Sequence, residues 1–228
     1  MPHGRYLASG HVAGEVYSRV ASPTCAVILA SSHTGQGNPW SIVTKGTWLT
    51  PLGGLGIQTE LAQSILDSSS DLLESDAPAH RYEHAIEVQL PFVQRLGKVR
   101  WFVPIQVGNK SVEQLEQTGL EIAQVIQKSE LETLLINSTQ MSCYEPQQDV
   151  IRKDKELLEP VLALDGRKFL ETAQQLNSSC CGIASTAVML FAAKSLGACK
   201  ATLVKYETSG DVSGDAMSVV GYAGITIQ

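Results

Sequence analysis

The chain has 228 residues, 43 % of them hydrophobic and 18 % charged, with a formal net charge of −6. Its densest basic cluster is Arg152, Lys153 and Lys155, so the cationic footprint that nucleic-acid backbones require is missing. No apolar run approaches the ~18 residues of a membrane span, and the opening Met-Pro-His-Gly-Arg lacks the basic and apolar regions of an export signal, which predicts a soluble, cytoplasmic protein. Five cysteines, Cys25, Cys143, Cys180, Cys181 and Cys199, are an odd number without any CxxC spacing. Reduced thiols are expected, rather than a disulfide framework or a zinc knuckle.

The first predicted element is the short apolar run Cys25-Ala-Val-Ile-Leu-Ala30, a buried strand that breaks into the polar loop Ser31 to Asn38 and places His33 just past its carboxyl end. Open α/β sheets gather ligand sites there. Helical spacing follows over residues 59–66 and 85–96, then a second strand over 101–107. Residues 112–127 form a helix whose apolar face is Leu115, Leu120, Ile122, Val125 and Ile126. A third strand, 133–137, runs into Ser138-Thr-Gln-Met-Ser-Cys143. Helices are expected over 155–164 and 166–176, and a strongly apolar one over 182–196. Strands over 201–206 and 218–227 flank the polar turn Ser209-Gly-Asp-Val-Ser-Gly-Asp215. Alternating strands and helices without linker or repeat predict one domain over 1–228. Its fold class is α/β, a three-layer α/β/α sandwich around a mixed, largely parallel sheet.

Five histidines are few enough to weigh singly. His3, His33 and His84 lie in turn-rich or acid-adjacent contexts; His11 and His80 read as ordinary polar residues. HExxH, GxSxG and GxxxxGK[ST] are all missing, and Gly53, Gly54 and Gly56 make no dinucleotide fingerprint. Cys180-Cys181-Gly182 precedes the apolar helix, whose free N–H groups and positive dipole end favour a thiolate at Cys181. Such a sulfur serves as a soft metal ligand or a nucleophile, or stays an inert buried thiol.

The chain resembles the Memo family along most of its length. Pro2-His-Gly-Arg-Tyr6 is similar to the family's Pro-His-Ala-Gly-Tyr opening, Ser32-His33 to its Gly-Pro-Ser-His turn, and Thr50-Pro-Leu-Gly53 to its Thr-Pro-Leu-Gly element. Glu83-His-Ala-Ile-Glu-Val-Gln-Leu-Pro-Phe92 is the most specific match. Cys181-Gly182, Ser209-Gly-Asp211 and Val220-Gly-Tyr-Ala223 follow in the family's order. The resemblance implies the fold of class III extradiol dioxygenases, with the iron-holding trio of two histidines and a glutamate replaced by two histidines and a cysteine, here His3, His33 and Cys181. It implies iron(II) or copper, with zinc as the alternative, and no nucleotide cofactor.

Two departures temper that expectation. Where the family has Ser-Ser-Asp-Phe-Ser-His-Tyr, this chain has Ser138-Thr-Gln140-Met-Ser-Cys143-Tyr144, putting an amide at the aspartate and a thiol at the histidine, the position whose histidine acts as acid/base in the related dioxygenases. A thiol of ordinary pKa near ~8.5 exchanges protons poorly at neutral pH. His84 with Glu83 is then the substitute acid/base pair, Cys143 a weak one, and ring cleavage of a catechol is not expected. The family also runs a strand into its Pro-His opening, whereas Met1 stands two residues before His3, so a frayed His3 or an incomplete metal site is expected.

Three functions follow. One is a metal protein, redox-active on an unnamed substrate and partnered, as the resemblance implies, by radical-SAM and AMMECR1-like proteins. The second is a non-catalytic module that binds a peptide or protein in the crevice over a vestigial site. The third is a hydrolase using Cys181 with His84 or His33.

Overall fold

The computed structural model describes residues 1–70 and 72–228. Among these, β1 (Cys25–Ala30), β2 (Ser41–Ile42), β3 (Thr47–Thr50), β4 (Gly53–Ile57), β5 (Glu74–Ser75), β6 (Trp101–Gln106) and β7 (Thr133–Ser138) form one sheet. Its main order is β3-β4-β6-β1-β7, with β2 on β6 and β5 on β2. The pairs β4/β6, β6/β1 and β1/β7 are parallel, while β3/β4 and β2/β6 are antiparallel. β1 is buried at every residue, as an unbroken apolar strand must be when both faces of a parallel sheet are covered.

Helices α1 (Tyr6–Tyr17), α2 (Thr59–Asp67), α3 (Ala77–His80), α4 (Leu90–Arg95), α5 (Val112–Lys128), α6 (Gln147–Leu162), α7 (Gly166–Gln175), α8 (Ile183–Ser195) and α9 (Ser209–Ser213) complete the layers. A smaller antiparallel sheet, β8 (Cys143–Glu145), β9 (Ala201–Thr208) and β10 (Val219–Ile227), has the order β8-β10-β9. α5 and α8 pack closely because Gly119 has no side chain. A Cβ there would lie 2.8 Å from both Phe191 Cβ and the Val188 carbonyl oxygen.

The expected α/β class, mixed sheet and major elements are present, and the differences have physical causes. α1 was not foreseen because Gly10 and Gly14 weaken the helical signal and its buried face, Ser9, Val12, Ala13, Val16 and Tyr17, is partly small and polar. α6 starts at Gln147 rather than at 155, since the buried Asp154 interrupts the stripe made by Val150, Leu157, Leu158 and Val161. The helix expected over 85–96 is split into a 3-10 turn, Glu87–Gln89, and α4, because Pro91 lacks an N–H and fits only a helix start. The expected turn after residue 208 coils into α9, capped reciprocally by Thr208 and Asp211.

Register makes the fold useful. Cys25 aligns with Trp101 and Thr133, and Ala30 with Gln106 and Ser138. The carboxyl ends of β6, β1 and β7 are therefore level, and the loops leaving them open onto one crevice.

Candidate metal centre

His3 reaches that crevice from the chain's start. The Met1 amine donates to the Asn137 carbonyl at 2.9 Å, and the Thr139 N–H donates to the Met1 carbonyl at 2.8 Å. His3 is only 2 % exposed. The frayed opening expected from the sequence is thus corrected: bonds to the end of β7 hold it in place.

Ser138 then fixes the imidazole. Its hydroxyl donates to the Ala85 carbonyl at 2.6 Å and accepts from Gln89 Nε2 at 2.9 Å. With its only proton committed, Ser138 Oγ acts as acceptor for His3 Nδ1 at 3.2 Å. The proton therefore sits on Nδ1, and His3 Nε2 faces Cys181 Sγ at 3.5 Å.

Glu83 does the same for two further rings. Its side chain is 1 % exposed. One oxygen accepts from His33 Nδ1 at 2.9 Å, His84 Nδ1 at 3.3 Å and the Ala85 N–H at 3.0 Å, and the other from the His33 N–H at 2.5 Å. Burial alone would raise this carboxyl; the bonds from His33, His84 and the two backbone amides outweigh it and hold Glu83 well below the usual carboxylate range. An acceptor-only carboxylate makes both Nδ1 atoms donors, so Nε2 is the nitrogen each ring can offer to a metal.

His3, His33 and His84 consequently offer ring nitrogens that all lie within 4.8 Å of one another. The three ring centroids are 5.0 to 5.4 Å apart. Three imidazoles, each anchored through Nδ1, could together hold a metal ion. His84, expected as an acid/base, has the geometry of a further ligand.

Cys181 lies just before Gly182, which caps α8. A Cβ on Gly182 would fall 2.1 Å from Thr139 Oγ1, so only glycine lets the helix start this close to the end of β7. Burial pushes the Cys181 thiol up, but the bonds to His3 and His33 and from the Gln140 N–H outweigh it and bring it down to about 5. The bond to that sulfur, then Glu83, raises His33 to about 10. Free of metal, the pair is an imidazolium facing a thiolate. Alkylation followed at the Cys181 peptide of metal-free protein is expected to show a midpoint near 5, and His33→Ala is expected to move it upward. A wild-type midpoint at the ordinary ~8.5 would remove the thiolate from the account.

Gly182→Ala gives the packing check. It overpacks against Thr139, so a loss of about 1–3 kcal/mol is expected in chemical denaturation.

Cys143 is brought near but not into this group. It is buried, its Sγ lies 3.3 Å from the Met141 carbonyl oxygen and 3.6 Å from Gln140 Oε1, and burial pushes it up to about 12. Cys180, likewise buried, donates to the Gln140 carbonyl at 2.9 Å and is also raised to about 12 by burial. Neither thiol exchanges a proton near neutral pH. His80 is buried against Ser41 at 3.1 Å, and His11 pairs with Glu207 away from the crevice. The sequence reading missed Ser138 and Gln89, although both stand inside motifs it quoted. Next to the crevice, a cleft of about 550 Å³ is lined by Val43, Trp48, Leu49, Pro78, Arg81 and Glu87, with Glu83 at its edge.

Among known proteins, a family model described as Memo-like protein matches residues 1–226. MEMO1 family proteins are similar over the whole chain. That of Methanopyrus kandleri is 38 % identical over 231 residues, covering 100 % of this chain and 81 % of its own. Those of Methanosarcina barkeri and Archaeoglobus fulgidus are each 39 % identical, again over 100 % of this chain and over 84 % and 85 % of theirs. A crystal structure of an uncharacterized Escherichia coli K12 protein, JW3007, shares the fold with a TM-score of 0.57 at 12 % identity, covering 96 % of this chain and 93 % of that one. Among the described residues no helix is long and apolar enough to cross a membrane.

Proposed function

Because this chain belongs to the Memo family, we propose that it is a metal protein in which His3, His33 and Cys181 hold one transition-metal ion. The observation that carries the reading is the convergence of His3, His33 and His84, with Cys181 Sγ 3.5 Å from His3 Nε2. Two imidazoles and a thiolate suit iron(II) or copper, and zinc as the alternative, and leave positions for a substrate. When bound, the metal supplies a Lewis-acid or electron-transfer centre.

The chain's own groups do the rest. Glu83 and Ser138 orient the imidazoles. His84, whose side chain is about half exposed at 52 %, faces the crevice as the acid/base available to a substrate. Cys143 does not supply that proton, so the proposed reaction is redox chemistry other than catechol ring cleavage. On the family resemblance, the partners are a radical-SAM protein and an AMMECR1-like protein, to be sought by co-purification.

Elemental analysis of untagged, anaerobically purified protein tests the reading. About one equivalent of iron, copper or zinc is expected. Metal-free protein that takes up none of the three would leave the second reading, a non-catalytic peptide- or protein-binding module. That reading is favoured by Gln140 at the family's aspartate and the inert Cys143 at its acid/base histidine, and by the partly apolar cleft beside the histidines.

A further inference from the structure

The cleft of about 550 Å³ beside the histidines lies within the ~300–1,000 Å³ range of small-molecule sites. Much of its wall is apolar, formed by Val43, Trp48, Leu49 and Pro78. Trp48 is fixed by edge contacts, its ring centroid 5.2 Å from that of Phe102 and 6.0 Å from that of His80. Arg81 and Glu87, of opposite charge, line the cleft too. Among the described residues neither makes an ion pair, with the other or with any third group.

The two charges are not equivalent. Glu87 is the first residue of a helical run that passes from the 3-10 turn into α4, where free backbone N–H groups and the dipole offset a negative charge. Arg81 follows α3, a helix of only four residues, which supplies no comparable dipole. Its guanidinium lies over the Tyr82 ring, 5.5 Å from the centroid. Such stacking engages the face of the guanidinium and leaves its in-plane N–H fork available. His80, on the same wall, is buried, is held neutral because burial brings it down to about 4, and has no hydrogen-bond partner at Nδ1.

We propose that the cleft binds a small organic monocarboxylate, its apolar body against Trp48, Leu49 and Pro78 and its carboxylate on the Arg81 fork. A carboxylate accepts two parallel N–H bonds from a guanidinium, which fixes the ligand's orientation as well as its charge. Glu87 sets the limit on that charge. One cation beside one acidic side chain compensates a single negative charge, so dicarboxylates and phosphate monoesters are selected against. Glu83 lines the cleft and also holds His33 and His84, so a carboxylate seated there lies beside the metal centre. Its identification as a substrate rests on the metal reading; its binding does not, because no residue of the cleft is a proposed ligand.

The test titrates metal-free protein with phenylbutyrate, phenylbutanol, phenylbutylamine and benzylsuccinate, an aryl body carrying in turn a single negative charge, no charge, a positive charge and a double negative charge. Binding is followed by NMR at the Trp48 indole N–H. Phenylbutyrate is expected to bind about tenfold or more tighter than the other three, the scale of a charge-assisted bond. Arg81→Met is expected to abolish that preference, and Glu87→Gln to admit benzylsuccinate while phenylbutyrate stays bound; both positions are exposed, so neither substitution disturbs the core. Equal affinity for phenylbutanol, tighter binding of phenylbutylamine, or undiminished phenylbutyrate binding by Arg81→Met would overturn the assignment. Metal uptake by the same samples keeps the two claims apart. Phenylbutyrate binding by protein that takes up no metal would sink the substrate role and leave the cleft, whereas metal uptake without phenylbutyrate binding would sink the cleft alone.

Discussion

His33→Ala is expected to purify with less than a tenth of the wild-type metal content. The substitution removes the imidazole that stands 5.0 Å, centroid to centroid, from both His3 and His84, and leaves two imidazoles of the group of three. Stability should fall as well. Glu83 is buried and loses the ring N–H donated at 2.9 Å, and breaking a buried charge pair by deleting one partner costs about 3–5 kcal/mol. Circular dichroism of the chelator-treated variant separates the two effects: wild-type metal uptake by folded His33→Ala would refute the ligand assignment.

Glu83→Gln is expected to be nearly as severe for metal and milder for the fold. An amide retains one acceptor oxygen, which serves the His33 backbone N–H in the place of Oε2, but its NH₂ then faces the Ala85 N–H and the donor Nδ1 of His33. To avoid that clash an imidazole must move its proton to Nε2, which removes the lone pair a metal uses. Losses of about 10–100-fold in metal affinity follow substitutions of this kind. Glu83→Ala, by contrast, leaves the donors at His33 and Ala85 without an acceptor, at about 1–3 kcal/mol for each buried one. Competitive chelator titration gives the affinity and urea denaturation the stability. A Glu83→Gln affinity within twofold of wild type would show that the carboxylate does not set the tautomers.

The pH behaviour of the metal-free protein has a defined sign. Cys181 lies below its unfolded value, so its contribution to stability is complete above the unfolded ~8.5 and is lost as pH falls through about 5. His33 lies above its unfolded ~6.5, so its contribution is complete below that value and is lost as pH rises through about 10. Both charges coexist between about 5 and 10, the window in which a metal bound as proposed would displace a proton from His33.

Much of this was legible in the residues. The apolar run of β1 and the polar loop behind it located His33 at a strand's carboxyl end, because burial of a parallel strand leaves a compositional signature. Cys181 was legible through the glycine and the apolar helix that follow it. The role of Ser138 was not, since a serine closing a strand shows no periodicity that reveals where its single proton goes. Nor could spacing show that His84 faces His3 and His33, as that depends on the break at Pro91 and the turn before it. The tie between Met1 and β7 was hidden for the same reason: it joins positions 136 residues apart.

The most direct test is X-ray absorption at the metal edge of the loaded protein. The account predicts one sulfur scatterer at about 2.3 Å beside nitrogen at about 2.0–2.1 Å, with the sulfur lost in Cys181→Ser. A shell of nitrogen and oxygen alone in the wild type would contradict it, and would leave His3, His33 and His84 as the metal's only protein ligands.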